Sequence, residues 1–302
     1  MTFTQLEIFA LVAELRGFTA AASKLSISQS AVSHALKSLE RELGVDLIIR
    51  HQANIEVTEI GQQLLLRTRE ILGLSEAIRQ EIAAARGLSR GSLRIGSFGP
   101  TSSLKLLPAI LEAYRMRHPG IDVHVEEGGD NDVTQWLLER RVDVGFVVLP
   151  DERFDTVSLV EDQLVALIPA GHALAKKRSV ALAELCDSPF IMTEAGCAPL
   201  IEPLFAAAGL VPQVRYRMAQ VITILGMVER GDGVSIVAEL ALPDRVAVTH
   251  RGMVRVPLRP AVKRRVGLAV RDLRQATPAA KAFLQVAGSQ ELRASLRMGI
   301  YG

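Results

Sequence analysis

Cysteine is nearly absent. The 302-residue chain holds two, Cys186 and Cys197, too few for a disulfide framework at this length. Aromatic residues make up only 4%, with a single tryptophan. No apolar stretch reaches about 18 residues without a charge, so no membrane-spanning helix is expected. Met1 to Glu7 contain no basic cluster and meet an acid at once, so a secretory leader is not expected either. These absences predict a cytoplasmic protein with no membrane partner. No dominant charge sign exists: 35 Lys+Arg oppose 33 Asp+Glu, for a net +2. Residues 1–91 are balanced, residues 92–258 carry net −5 and residues 259–302 net +7. Bulk charge therefore gives no footprint for nucleic acid, and any such reading must rest on patterning.

Catalytic signatures are sparse as well. The six histidines never fall at i, i+4 and no Cys-x-x-Cys occurs, so no metal site is expected. Neither a Walker loop nor Gly-x-Gly-x-x-Gly is present, and no cofactor is expected. Asp130-Asn131-Asp132 reads as a strand-to-helix turn with an Asp cap. The run Arg259, Lys263, Arg264, Arg265, Arg271 and Arg274 alternates with Val262, Val266 and Leu268, which predicts a strand with a solvated basic face.

What is present is 49% apolar residues and enough length for about two domains. Leu6, Phe9, Leu11 and Val12 repeat at helical spacing, and Gly17 stops that helix. Thr19 is positioned to cap a helix from Ala20 to Leu25; Ser28 is positioned to cap another ending near Leu43, with Gly44 closing it. Val45–Arg50 and Asn54–Val57 read as two short extended segments. From Glu59 to Arg86 no proline interrupts, predicting a helix of up to 28 residues, with Leu64, Ile71, Ile78, Leu74 and Ile82 on one stripe. So long an apolar stripe needs a partner. Gly87-Leu88-Ser89-Arg90-Gly91 reads as a hinge. Beyond it, strands and helices alternate in the manner of an α/β protein with mostly parallel sheets.

Ala21 and Ala22 are small enough for two helices to cross closely, while Leu25, Ile27, Val32, Leu36 and Leu39 fix the crossing angle. That pattern predicts a winged helix-turn-helix, the wing formed by the extended pair. Left over on the second helix are Gln29, Ser30, Ser33, His34, Lys37 and Arg41, short donors and acceptors plus cations suited to base edges and phosphates. The candidate DNA-binding residues are Thr19, Gln29, Ser30, Ser33, His34, Lys37 and Arg50.

The run from Phe18 to Gly61 resembles the LysR-type transcriptional regulator family, through Ser-Gln-Ser-Ala-Val-Ser-His-Ala-Leu-Lys-Ser-Leu-Glu, Leu-Gly-Val and Val-Thr-Glu-Ile-Gly. Two positions depart from it: Ile48-Ile49-Arg50 lacks the aromatic of the family's Phe-x-Arg, and His34 stands where many members carry arginine. The resemblance implies an all-α winged helix-turn-helix over 1–61, a linker and dimerisation helix over 62–87, and an effector-binding domain over 88–302. That domain is expected to hold two Rossmann-like α/β subdomains like those of periplasmic binding proteins, one over about 92–162 and 262–302 and the other over about 163–261. It further implies double-stranded promoter DNA and a small-molecule effector as partners, self-association as a homodimer or dimer of dimers, and contact with RNA polymerase. Strand ends of an α/β sheet are where ligands sit. The expected effector site is therefore Ser97, Pro100, Thr101, Ser102, Gly129, Asp130, Val148, Thr193, Cys197 and Thr223, with free amide groups at a helix start after Ser97. No basic residue stands near Val148, which disfavours a strongly charged carboxylate effector. A regulator rather than an enzyme is expected. The competing reading is a small-molecule-binding α/β enzyme with a helical oligomerisation arm, whose turnover would survive removal of residues 1–90.

Overall fold

The computed structural model describes residues 1–51, 55–86, 90–194, 198–244 and 246–301. The chain divides into two compact units, residues 1–88 with 139–141 and residues 89–138 with 142–302.

In the first unit, α1 spans Phe3–Leu15 and starts with a reciprocal cap at Thr2. Gln5 N donates to Thr2 Oγ1 at 3.2 Å and Thr2 N donates to Gln5 Oε1 at 2.8 Å. Helix α2 covers Phe18–Leu25 and begins directly after Gly17, with no side-chain capping bond. Thr19 therefore lies inside the first turn rather than capping it, a correction to the sequence expectation. Helix α3 covers Gln29–Leu43; Ser28 Oγ accepts from Ala31 N at 3.1 Å, and Gly44 ends it in the left-handed region at φ 71°. Leu6, Ile8, Phe9 and Val12 of α1 close on Ala21 and Ala22 of α2 and on Val32, Leu36 and Leu39 of α3 to form one core.

Strands β1 (Ile48–Arg50) and β2 (Ile55–Val57) pair antiparallel as a wing, with Ile48 opposite Val57 and Arg50 opposite Ile55. The wing begins at Ile48, three residues later than the sequence suggests, and Asn54 lies outside the described residues. Glu40 near the end of α3 anchors the wing, its Oε1 accepting from Leu47 N at 2.9 Å and Ile48 N at 3.2 Å. Helix α4 then runs Glu59–Ala85, 27 residues and about 40 Å long, capped by Thr58 Oγ1, which accepts from Gly61 N. Leu64, Leu65 and Leu72 pack on the winged core, so Leu64 is not part of a free stripe. Ile71, Leu74, Ile78 and Ile82 stay exposed, the last three at 50, 57 and 50%.

The second unit contains β3 (Gly91–Phe98), a π-helical turn (Thr101–Leu106), α5 (Leu107–Arg117), β4 (Ile121–Gly128), α6 (Asp130–Leu138), β5 (Val144–Leu149) and the 15-residue β6 (Asp155–Pro169). It continues with α7 (Leu182–Leu185), β7 (Pro189–Thr193), α8 (Ala198–Ala207), β8 (Gln213–Met218), α9 (Val221–Arg230) and β9 (Val234–Ala238). The rest is α10 (Val246–Thr249), β10 (Met253–Pro257), β11 (Lys263–Val270), α11 (Pro278–Ala287) and α12 (Gln290–Tyr301). Strand order is β4-β3-β5-β11-β6-β9-β7-β8, with β10 also paired to β6.

The sequence suggests mostly parallel pairing, and the structure corrects this. Pairs β3–β4, β3–β5, β7–β8 and β7–β9 are parallel, while β11 runs antiparallel to β5 and β6, and β6 antiparallel to β9 and β10. The reason is β6. Residues 155–163 pair with β11, and residues 164–169 pair with β9 and β10, so one long strand serves two lobes. Leu93, Ile95, Phe146, Val266 and Phe283 centre one core; Leu167, Phe190, Ile224 and Ile236 centre the other.

Gly61 marks the tightest approach in the winged unit. A Cβ there would lie 2.3 Å from Leu47 O and 2.8 Å from Val57 Cγ1, so nothing larger than hydrogen fits between α4 and the wing. Gly61→Ala is expected to destabilise the winged unit by roughly 1–3 kcal/mol. Hydrogen exchange checks this: amides of α3 and the start of α4 should exchange faster, with those of β3 and β5 unchanged. Equal protection in both proteins would refute the packing argument.

Candidate functional site

Helix α3 presents two chemically different sides. Val32, Leu36 and Leu39 are fully buried, whereas Gln29, Ser30, His34, Lys37 and Arg41 are exposed. Ser33 is half-buried at the edge of the polar side. Arg50 reaches it from β1, its Nη1 donating to Ser33 Oγ at 3.3 Å while the guanidinium sits 4.7 Å from the centroid of the Phe18 ring. The wing arginine is thus held by α2 and α3 together. Thr19 is exposed on α2. All seven residues expected from sequence lie on this unit, and Phe18 joins them as the platform under Arg50.

In the two-lobed unit the expected residues separate into groups. Ser97, Thr101 and Ser102 are buried. Ser97 Oγ donates to Ser102 Oγ at 3.0 Å, and Ser102 Oγ accepts from Phe98 N at 2.8 Å, so these two hydroxyls stabilise the turn out of β3. A helix start with free amides was expected here. Instead Phe98 N is occupied and a π-helical turn follows. Gly129 N is likewise engaged, donating to Asp132 Oδ2 at 2.8 Å.

Thr101 leads to the most heavily buried polar cluster, whose centre lies on strands the sequence reading treated as ordinary. Arg264 Nη2 donates to Thr101 Oγ1 at 2.8 Å, and Arg264 Nε and Nη2 donate to Asp162 Oδ2 at 2.9 and 2.7 Å. The two charged side chains are 2% and 1% exposed. Asp162 Oδ1 accepts from Gln163 N at 2.7 Å and Leu240 N at 3.2 Å. Arg264 therefore does not belong to a solvated basic face, a second correction. A charge excluded from water this fully is tolerated only when paired and hydrogen-bonded. The signal in the sequence is Asp162, which interrupts the otherwise apolar run of β6.

Asp130, the first residue of α6, interacts electrostatically with Arg264. Desolvation outweighs that attraction and pushes its carboxyl up to about 7. Its Oδ1 is buried with no hydrogen-bond partner among the described residues. Val148 on β5 is half-buried and lies opposite Val266 of β11, two residues from Arg264. A cation does stand close to Val148, supplied by the neighbouring strand and neutralised by Asp162. Thr193 is buried at the end of β7, and Thr223 is exposed in the first turn of α9. Pro100 borders an apolar cavity of about 390 Å³ with Leu104, Val221, Ile222, Leu225 and Leu242. Cys197 lies outside the described residues. Asp162 also borders a polar cavity of about 510 Å³ whose charges are paired, Lys263 with Glu161 at 2.6 Å, Arg255 with Glu239 at 2.8 Å, and Lys105 with Asp244.

Residues 87–91 have the Gly-x-Ser-x-Gly spacing of a hydrolase nucleophile elbow, which the sequence reading passed over as a hinge. An elbow needs strand, turn, helix in that order. Here α4 precedes the segment and β3 follows it, which is the reverse order.

A winged helix-turn-helix carried in one chain with a two-lobed α/β unit defines a ligand-responsive transcriptional regulator. Residues 3–62 match the bacterial regulatory helix-turn-helix protein, lysR family, and residues 86–291 match the LysR substrate binding domain. The chain belongs to the LysR family; it is a DNA-binding regulator and not an enzyme. It is 33% identical over 288 residues to the uncharacterized HTH-type transcriptional regulator YvbU of Bacillus subtilis (strain 168), covering 95% of this chain and 98% of that one. Identity to the probable HTH-type transcriptional regulator LrrA of Synechococcus elongatus is 35% over 292 residues, covering 95% and 96%. Among solved structures, a full-length OxyR variant from Pseudomonas aeruginosa matches the fold with a TM-score of 0.74 at 23% identity, over 99% of this chain and 95% of that one. Full-length CbnR complexed with its target DNA matches at 0.61 and 25% identity, over 95% and 99%. No described helix is long and apolar enough to cross a membrane.

Because the carboxyl of Asp130 titrates near 7 in the folded chain and near 3.8 unfolded, the folded state binds the extra proton. Its contribution is full below about pH 4 and is lost as pH rises through 7. Asp130→Asn is therefore expected to gain Tm relative to the parent as pH is raised from 4 to 8. Parallel melting curves across that range would refute a buried, near-neutral carboxyl.

Proposed function

We propose that α3 enters the major groove of promoter DNA, with Gln29, Ser30, His34 and Lys37 toward base edges and phosphates. Ser33 and Phe18 aim Arg50 at the flanking backbone, and Thr19 meets the backbone from α2. The observation that carries this reading is the two-sidedness of α3: its apolar stripe is fully buried and its polar side is open. CbnR, of the same family, is known in complex with its target DNA, which supports the same use of the unit here. In this reading residues 1–61 form the DNA-binding domain, 62–87 the dimerisation helix and 88–302 the effector domain, acting in the cytoplasm. Its subdomains take up about 92–162 with 262–302, and about 163–261.

The exposed stripe Ile71, Leu74, Ile78 and Ile82 supports pairing of α4 with its copy. Two recognition helices then address half-sites about one DNA turn apart, in a homodimer or a dimer of dimers. Balanced charge in residues 1–91 is no obstacle, since a dimer doubles each phosphate contact. The effector binds at Thr101 and Asp130 beside Arg264, with Val148, Thr193, Cys197 and Thr223 completing the wall, Ser97, Ser102 and Gly129 holding the backbone, and Pro100 at the rim. Ligand that prefers one arrangement of the lobes shifts the population toward it and alters how RNA polymerase is engaged.

Replacing Ser33 and His34 by Ala is expected to weaken operator binding by roughly 1–3 kcal/mol per lost base contact while leaving nonspecific binding in place. Fluorescence anisotropy on specific and scrambled duplexes reads this directly. An unchanged operator preference sinks the assigned face. For the helix pair, Leu74→Glu with Ile78→Glu is expected to convert a dimer to a monomer in sedimentation at micromolar concentration. A monomeric parent protein, or a variant that sediments like its parent, would refute α4 as the interface.

A further inference from the structure

Charge accounting around Asp130 narrows what the cleft can hold. Arg264 is the cation that acts on Asp130, and its Nε and Nη2 already serve Asp162 and Thr101. The other charged groups around it are the carboxylate of Asp162 on β6 and, on the same turn of α6, that of Asp132, which accepts from Gly129 N. Asp130 Oδ1 is meanwhile a buried acceptor with nothing donating to it among the described residues. Buried polar atoms are paired almost without exception, so an orphan acceptor in a cleft marks the place of an absent donor. Thr101 Oγ1 accepts from Arg264 and retains its own hydrogen to give to an acceptor.

We propose, building on the cleft assignment above, that the effector is a small molecule presenting an amine, amide or hydroxyl group to Asp130 Oδ1 and carrying no carboxylate or phosphate. An anion placed there would be stripped of water beside two carboxylates, with a guanidinium already committed to one of them. A donor instead satisfies the orphan oxygen, and an adjacent ligand acceptor takes the Thr101 hydrogen.

The test uses the full chain and a matched panel of three- to eight-carbon compounds, each as amine, amide, alcohol and carboxylate, read by thermal shift and then calorimetry. Expected is stabilisation by one or more donors and by no carboxylate, with Kd for the tightest donor rising at least about tenfold in both Asp130→Leu and Thr101→Val. Should Asp130→Leu fail to fold, Asp130→Asn serves for the amines, which lose the charge attraction and should weaken about as much. Carboxylate binding that Thr101→Val weakens and Asp130→Leu or Asp130→Asn leaves intact overturns the ligand class while keeping the cleft. Binding indifferent to all of these substitutions overturns the cleft assignment itself. A panel in which no donor binds overturns the ligand class.

Discussion

Asp162 and Arg264 meet where β6 passes from one core to the other. The carboxylate divides its oxygens: Oδ2 takes the guanidinium from β11, and Oδ1 takes the amide of Leu240, which follows β9 of the second lobe. Leu240 belongs to the second lobe by chain position, yet its side chain is buried in the first core. One buried acid thus ties both crossing strands to the far end of β9. Removing either partner of such a pair costs about 3–5 kcal/mol, because the survivor is left charged and dry. The residues proposed to bind effector are arranged around this tie, so the cleft inherits its geometry from the connection between the lobes.

In the winged unit the constraint is different. Local rules decide almost everything: Thr2, Ser28 and Thr58 each accept a first-turn amide, and Gly44 ends α3 in the left-handed region. With the helix ends fixed, burial of Val32, Leu36 and Leu39 sets the rotation of α3 and leaves its polar side outward. The aromatic that the family carries in the wing is missing, and Ile48 fills the core position instead. Phe18 then supplies from α2 the ring on which Arg50 rests, so the cation keeps its place by a contact from another element.

This difference explains what was legible in the sequence. Helix α3 and nearly all of α4 could be bounded from caps and periodicity, because their signals are local. Thr19 was misplaced because a good capping residue stands two positions past the actual start, and Gly17 adopts the extended cap conformation without a side chain. Strand β10 was missed: Met253–Pro257 is short and its Arg255 breaks the apolar run. Half of the sheet's pairings were given the wrong direction because antiparallel crossing depends on where β6 and β11 meet, 102 residues apart in sequence. The same distance hid the centre of the candidate site. Thr101 and Asp130 follow from the rule that ligands gather at strand ends, but Arg264 looked like one more surface arginine until Asp162 was beside it.

Regulation requires that ligand favour one arrangement of the lobes over the other, and the buried groups bound how large that preference can be. An unsatisfied buried acceptor costs about 1–3 kcal/mol. A ligand that satisfies Asp130 Oδ1 in only one arrangement gains that difference, within the 5–150-fold range of ordinary allosteric coupling. Moving a population from 1:99 to 99:1 takes about 5.5 kcal/mol, which one hydrogen bond does not supply. Two equivalent sites acting on one dimer double the leverage. A single-site variant of this cleft should therefore leave a graded response rather than none, and the steepness of the response resides in the assembly.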